Sequence, residues 1–176
     1  MKKDFEIKTE RLILKPIGIK YLETVNEYAT DPENTKYMMF LPNDSIDETR
    51  EFLLSCDKAW EDENSTTYEC AVILEETQIG CISLYINDGI GEFGWILNKR
   101  YWGKGYLTEA AKAMVEYAHE GLGLNHFIAH CDSENTASYR VMEKIGMKYV
   151  EKTGGRRNKL TPPGEERFEL LYKMDL

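Results

Sequence analysis

The sequence has no long hydrophobic run. Its 176 residues include no apolar stretch near the roughly 18 residues that a membrane-spanning helix requires. The basic pair Lys2-Lys3 is not followed by the hydrophobic segment of a secretory signal peptide. Hydrophobic residues make up 42% and charged residues 30% of the chain, which is typical of a folded globular protein. We therefore expect one domain over residues 1–176, located in the cytoplasm and without a membrane partner.

Metal-binding clusters and an excess of basic charge are also lacking. The four cysteines stand far apart, with no close pair and no histidine at the spacing of a metal site. We expect them to be small buried residues, and we expect no metal. Lysine and arginine number 22 against 31 aspartates and glutamates, a formal charge of -9. This charge disfavours a nucleic-acid partner and favours a cationic acceptor such as an amine, although it serves solubility equally well.

The spacing of apolar residues predicts an α+β domain with a mixed central sheet. Alternating or continuously apolar segments predict seven strands, at 5–14, 67–74, 78–86, 90–97, 126–131, 147–153 and 167–174. Apolar residues at helical spacing predict four helices, at 18–29, 45–60, 107–118 and 135–144. A connection rich in glycine, proline and basic residues spans 153–166.

Two glycines precede the third predicted helix. Gly103 and Gly105 would let an anionic ligand approach the backbone closely, and the free N–H groups at a helix start bind phosphate well. The P-loop pattern and the Rossmann fingerprint are both absent from the sequence. Taken alone, the glycine pair fits an ordinary loop as well as it fits a phosphate site.

Three segments occur in an order and at separations shared with a known family. They read TERLILKP at 9–16, YWGKGYLTEA at 101–110, and NTAS followed by EKIGM within 135–147. They resemble the GNAT superfamily of N-acetyltransferases, especially its Rim-type branch of ribosomal-protein N-terminal acetyltransferases. The resemblance implies a mostly antiparallel sheet of about seven strands flanked by about four helices. It also implies an acyltransferase that moves the acetyl group of acetyl-CoA to a primary amine by direct attack in a ternary complex.

The family's acetyl-CoA loop pattern, Gln/Arg-x-x-Gly-x-Gly/Ala, fits this sequence in two registers. One starts at Arg100 and uses Gly103 and Gly105, and the other starts at Trp102 and uses Gly105 and Leu107. We prefer the second register because the helical stripe begins at Leu107, so that the amides of 103–108 lie at the helix entrance. The resemblance then implies cofactor binding by Trp102, Gly103, Lys104, Gly105, Tyr106, Leu107 and Thr108.

The resemblance also implies cofactor contacts outside the loop. Backbone groups of Trp95, Ile96 and Leu97 would bind the pantetheine arm as an added strand, because a strand that diverges from its neighbour leaves N–H and C=O groups unpaired. Asn135 matches the family asparagine that contacts the cofactor from the next helix. The same residue could instead be a helix N-cap.

The catalytic groups are less clear from the sequence. Many family members place a tyrosine acid seven residues after the asparagine, and that position is Met142 here. Ser138 lies on the same helical face as Asn135 and resembles the Rim-type serine near the thiol, where it would donate a hydrogen bond to the sulfur. It could equally be an ordinary helix serine. Tyr139 is a weaker substitute, since it projects about a hundred degrees away around the helix.

Glu92 is the candidate base, because related enzymes place a carboxylate facing the acceptor two residues before the glycine of this strand. It could instead face solvent. Glu109 is interpreted as structural, since a carboxylate in the first turn of a helix is favoured by the helix dipole. The three histidines have no partner spacing and receive no role; they are His119, His126 and His130.

The sequence leaves the acceptor and the oligomeric state open. The apolar segment 37–42 and the basic connection 153–166 are candidate walls of the acceptor site, the second as a lid. Two alternatives to the enzyme are a CoA-binding regulatory module of the same fold without turnover and a generic anion-binding domain.

Overall fold

Eight strands form one sheet in a computed structural model that describes residues 4–176, so that Lys2-Lys3 lies outside the described residues. The sheet order is β1-β2-β3-β4-β5-β6-β8-β7, and every neighbouring pair is antiparallel except β5 with β6. The strands are β1 (Ile7–Lys8), β2 (Leu12–Pro16), β3 (Thr67–Leu74), β4 (Thr77–Asn87), β5 (Ile90–Leu97), β6 (His126–Asp132), β7 (Lys148–Gly154) and β8 (Phe168–Asp175).

Five α-helices connect these strands within residues 4–176. They are α1 (Leu22–Ala29), α2 (Pro32–Thr35), α3 (Ile46–Glu61), α4 (Tyr106–Glu116) and α5 (Thr136–Lys144). Polar side chains begin several of them: Asp31 accepts the amides of Glu33 and Asn34, and Ser45 accepts the amide of Glu48. These caps satisfy N–H groups that have no partner inside a helix.

The mixed, mostly antiparallel GNAT-type sheet is confirmed, with one strand and one helix more than the sequence indicates. The predicted strand over 5–14 is divided into β1 and β2, because Thr9 turns the chain by bonding Leu12 through both its amide and its hydroxyl. The additional helix is α2, a single turn too short to show an apolar period. Helix α4 begins at Tyr106, one residue before the predicted start, and continues as a π-turn over Tyr117–Gly121.

The sheet has a helical layer on each face. One face packs against α4 and α5 and carries the larger core, whereas the other packs against α1 and α3. Alternation along the strands decides which face a side chain joins: Cys70 lies in the larger core and its neighbour Ala71 in the smaller one. The buried side of α4 is small, with Ala110 and Ala111 fully buried, so that the helix lies close to the sheet.

Strands β5 and β6 pair for only part of their lengths. Their parallel register runs from Ile90 opposite His126 to Phe93 opposite Ala129 and then ends. Beyond it, β5 continues to Leu97 on the β4 side, while β6 continues to Asp132 on the β8 side. The two strand ends therefore diverge and open a gap in the middle of the sheet.

Replacing Met114 should destabilise the fold, because this α4 side chain is fully buried in the larger core. We expect Met114→Ala to lower the free energy of unfolding by about 2–5 kcal/mol, through lost burial and a residual cavity. Urea denaturation measures the change. Lys112→Ala, an exposed change in the same helix, should stay within about 0.5 kcal/mol of the unmodified chain. Equal losses in the two variants would contradict this account of the α4 interface.

Candidate active site

The loop before α4 presents a group of unpaired backbone amides. Gly103 and Gly105 adopt φ values of 76° and 80°, in the left-handed region that favours glycine, and Gly105 is the N-cap of α4. None of the N–H groups of 103–108 donates to a partner within the described chain. Six donors at a positive helix end form a site suited to an anion. The helix start agrees with the register that begins at Trp102.

The segment 9–11 holds this loop in place. The Glu109 carboxylate accepts from the Thr9 hydroxyl at 2.6 Å, from the Arg11 amide at 2.8 Å and from Arg11 Nε at 2.7 Å. Arg11 also donates to the Lys104 carbonyl at 3.0 Å, and its guanidinium lies 4.6 Å from the Tyr106 ring centroid. The structural interpretation of Glu109 is therefore confirmed, and the TERL segment positions the loop.

The gap exposes backbone groups of β5. The Asn98 amide donates to the Ile79 carbonyl at 2.9 Å, and hydrogen-bonding direction alternates along an antiparallel strand. Ile96 therefore directs its backbone groups to β4, whereas Trp95 and Leu97 direct theirs into the gap. The Leu97 carbonyl already accepts from the indole of Trp102 at 2.8 Å. Both backbone groups of Trp95 and the N–H of Leu97 thus face the gap.

Helix α5 brings two polar side chains to the opposite side of this gap. The Asn135 side-chain oxygen accepts the Ser138 amide at 3.2 Å, so that the N-cap interpretation of Asn135 is confirmed. The Ser138 hydroxyl accepts from the Trp95 indole at 3.1 Å and also has the Cys131 side chain as a hydrogen-bonding neighbour. Met142, at the position of the family tyrosine, is buried in the core with 1% of its surface exposed.

A cavity of about 780 Å³ adjoins the gap on the α1 and α3 face of the sheet. Both predicted walls contribute: 37–41 from the apolar segment and Arg156 from the connection 153–166. The connection is fastened over the cavity, since Arg156 donates to the Tyr37 carbonyl at 3.3 Å and Asn158 to the Lys36 carbonyl at 2.6 Å. Most of the polar groups that line the cavity come from the sheet and from the start of α5: Glu69, Cys81, Ser83, Tyr85, Glu92, His130, Cys131, Asn135, Ser138 and Glu169.

One side of the cavity rests on a buried ion network. Arg156 pairs with Glu169, and Arg167 Nε donates to the Asp132 carboxylate at 3.0 Å. Asp132 is 3% exposed, so both arginines also offset the cost of burying its charge. Of the basic residues of the connection, Arg156 therefore has partners in the sheet, whereas Lys159 pairs with Asp44 and Glu48 beside α3.

Glu92 and His130 meet at the cavity wall, where Nδ1 of His130 lies 3.0 Å from the Glu92 carboxylate. The hydrogen bond to Glu92 raises the pKa of His130 above its usual 6.5. The same hydrogen bond lowers the pKa of Glu92. The expectation that His130 has no partner is therefore wrong: it has a carboxylate partner that the parallel register of β5 and β6 supplies, and no sequence spacing shows this.

Glu69 was missed by the sequence analysis. It lies on β3, is 5% exposed, and accepts hydrogen bonds from the Tyr85 hydroxyl and from the Cys81 thiol at 3.2 Å. Burial raises the pKa of its carboxyl group. The signal was present in the sequence, because Glu69 is a single charged residue inside the otherwise apolar strand segment YECAVIL.

Further features concern metals and membranes. Across residues 4–176, no three His, Cys, Asp or Glu side chains are grouped so that they could hold a metal ion. The four cysteines are free and buried: Cys56, Cys70, Cys81 and Cys131. None of the helices in that range combines the length and the apolar character needed to cross a bilayer.

Comparison with known families decides the affiliation of this site. The profile described as an acetyltransferase (GNAT) domain matches residues 11–148, which include the loop, the gap and α5. The chain belongs to the GNAT acetyltransferase family. It is therefore an acyltransferase of a family that uses acetyl-CoA and an amine acceptor.

Similar proteins agree with this assignment. YnaD of Bacillus subtilis, named as an uncharacterized N-acetyltransferase, is 32% identical over 169 residues, 94% of each chain. The solved structure of a GNAT-family acetyltransferase from Bacillus anthracis is 34% identical, with a TM-score of 0.78 and coverage of 97% of this chain and 98% of that one. The ribosomal-protein-S5-alanine acetyltransferase from Vibrio fischeri, 16% identical, shares the fold with a TM-score of 0.76 over 98% and 97% of the two chains.

The Glu92 and His130 pair should be visible by NMR titration. We expect the His130 imidazole to titrate above 6.5 and to titrate at lower pH in Glu92→Gln, because the variant removes the charge that favours the imidazolium. Glu76→Gln, an exposed change in the turn between β3 and β4, is the control. An unchanged His130 titration in Glu92→Gln would contradict the pairing.

The same pair predicts a pH window for stability. Since the folded pKa of His130 is raised, its contribution to the free energy of unfolding is present below its unfolded pKa and is lost as pH rises through the folded value. Since the pKa of Glu92 is lowered, its contribution is lost as pH falls through its folded value. The stability difference between Glu92→Gln and the unmodified chain should therefore be largest at mildly acidic pH.

Proposed function

We propose that residues 1–176 act as one cytoplasmic N-acetyltransferase domain that moves the acetyl group of acetyl-CoA to a primary amine by direct attack in a ternary complex. The amine belongs to a small molecule or to a protein N-terminus. One observation carries the proposal: the cavity lining reaches the gap at Trp95 and Ser138, and the amide loop adjoins the same edge of β5 through the Trp102 indole on the Leu97 carbonyl. A long cofactor and an acceptor can thus approach the gap from opposite sides.

Two parts of the described chain are suited to bind the cofactor: the loop before α4 and the free edge of β5. The six amides of 103–108 offer donors to the anionic pyrophosphate, and Trp102, Gly103 and Gly105 shape the loop around them. The amide-bearing pantetheine arm can add to the free edge at Trp95 and Leu97 as a further strand. Ile96 would contribute by holding that edge to β4. Asn135 caps α5 through its oxygen and keeps its side-chain NH₂ for the cofactor.

Ser138 is the group that can stabilise the departing thiolate. Its hydroxyl lies at the gap and is oriented by the Trp95 indole, so its proton can be directed to the sulfur. A plain hydroxyl is a weak acid, and its contribution is therefore hydrogen-bond donation rather than full proton transfer. The buried Met142 leaves this role to Ser138.

The acceptor amine must lose a proton before it attacks. Glu92, the base expected from the sequence, has a lowered pKa, which makes its carboxylate a weak proton acceptor. The pKa of His130 is raised instead by its hydrogen bond to Glu92, and its Nε2 bonds no residue within 4–176. We therefore assign proton acceptance to His130, with Glu92 orienting the ring through Nδ1 and stabilising the imidazolium.

These groups separate the enzyme from the alternative functions. A CoA-binding module without turnover does not require a hydroxyl at the gap or a carboxylate–imidazole pair facing the cavity. A generic anion-binding domain does not require a cavity on the opposite face of the sheet.

Gly105→Glu should abolish cofactor binding, because the substitution places a carboxylate at the amide cluster. In the unmodified chain, CoA at a hundredfold excess over its Kd should add about 2.7 kcal/mol to the free energy of unfolding, seen as a rise in Tm. Gly123→Glu is the matched control, since Gly123 also has a positive φ of 72°, with no atom near its Cβ position, and follows the far end of α4. A Tm of the unmodified chain that does not change in CoA would refute the proposed function.

Ser138→Ala should lower kcat about tenfold to hundredfold with little change in KM, because the lost donor acts on the leaving sulfur rather than on the bound substrates. Release of free thiol in the presence of acetyl-CoA and a panel of amines measures the rate. Tyr139→Phe tests the alternative acid: its hydroxyl donates to the Thr136 hydroxyl at 3.3 Å, and its loss should leave kcat unchanged. A loss of kcat in Tyr139→Phe but not in Ser138→Ala would assign hydrogen-bond donation to the sulfur to Tyr139.

A further inference from the structure

Glu69 lies in the wall of the cavity, away from the gap. It is on β3, in register with Ser83 on β4, and Ser83 is in register with Gly94 on β5. Two inter-strand spacings therefore separate Glu69 from the open edge of β5, about 10 Å in total. The side chain lines the cavity although it is 95% buried, since only 5% of it is exposed.

Among residues 4–176, the Glu69 carboxyl group has no basic partner. Of the three carboxylates that line the cavity within the described chain, Glu92 meets His130 and Glu169 pairs with Arg156. Glu69 receives only the neutral donors of Tyr85 and Cys81. Burial disfavours the charged form of this carboxyl group, and a cation entering from the cavity would favour that form again.

The wall opposite the sheet suits an apolar linker. Met39 and Phe40 line the cavity while remaining 43% and 83% exposed, and Tyr37 lies beside them. A chain of methylene groups could rest on these side chains while polar groups at its two ends reach the sheet. The cavity thus has one apolar wall at 37–41 facing a sheet wall that carries Glu69.

We propose that Glu69 binds a second cationic group of the acceptor, about 10 Å from the amine that is acetylated. The inference rests on the proposed function and deepens it: the acceptor is a dibasic molecule with an apolar linker. Tyr85 and Cys81 orient the Glu69 carboxylate toward that group. The second cation belongs either to a free diamine or to a basic side chain that follows a peptide N-terminus.

Matched acceptors test the proposal through thiol release. One arm compares cadaverine and hexamethylenediamine with pentylamine and hexylamine, and the other compares peptides that carry lysine or norleucine next to the N-terminus. In at least one arm the unmodified enzyme should favour the dibasic acceptor in kcat/KM by about tenfold or more, as a hydrogen bond between charged groups would give. Glu69→Gln should abolish this preference and leave the rate with the monobasic acceptor unchanged.

Two controls keep the result interpretable. Glu76→Gln removes the same charge at an exposed turn and should retain the preference. The Tm of Glu69→Gln with and without CoA shows whether the variant folds and binds the cofactor. If Glu69→Gln does not fold, Tyr85→Phe, which removes one donor that orients the carboxylate, should reduce the preference instead.

The outcomes separate the two proposals. The Glu69 subsite is overturned if kcat/KM is equal for the dibasic and the monobasic acceptor of each pair. It is also overturned if Glu69→Gln lowers kcat/KM equally for both acceptors. Either result leaves the proposed acetyltransferase activity intact. If no acceptor causes thiol release from acetyl-CoA, these amines are not substrates. The Glu69 subsite is then tested by acceptor binding alone. A dibasic acceptor should then raise the Tm of the CoA-bound unmodified chain but not of CoA-bound Glu69→Gln, and no rise overturns the subsite.

Discussion

The candidate site depends on the point at which β5 and β6 stop pairing. Four residue pairs join these strands, and after Phe93 and Ala129 they diverge. Parallel neighbours require a long crossover, and α4 supplies it, so the helix start lies beside the point of divergence. The unpaired backbone of β5 and the free amides of the α4 N-terminus are two consequences of this connection.

Hydrogen bonds and ion pairs fix the strand ends on both sides of the gap. The Trp102 indole and Asn34 both donate to the Leu97 carbonyl, at 2.8 and 3.0 Å, and hold the end of β5 away from β6. On the other side, Arg167 and Arg156 surround the Asp132 carboxylate at the end of β6. Because these partners are drawn from separate parts of the chain, the divergence of the strands is a property of the whole fold.

The two faces of the sheet have different chemistry. The α4 and α5 face is a continuous apolar core, with Ser138 and Asn135 at its border with the gap. The opposite face carries the carboxylates of the cavity, two of which have basic partners in the structure. Carboxylates thus face the cavity, whereas Arg11 and Lys104 place basic groups at the loop before α4.

The sequence by itself determined the family, the order of elements and the loop. Periodicity and glycine positions are local properties, so α4, its start near Leu107 and the amide cluster could be predicted from adjacent residues. Tertiary structure alone decided which side chains meet across the sheet. Glu92 and His130 are 38 residues apart and contact only because β5 and β6 are parallel neighbours. Glu69 faces the acceptor cavity because β3, β4 and β5 align it with Ser83 and Gly94, and strand register is set by long-range pairing rather than by local sequence.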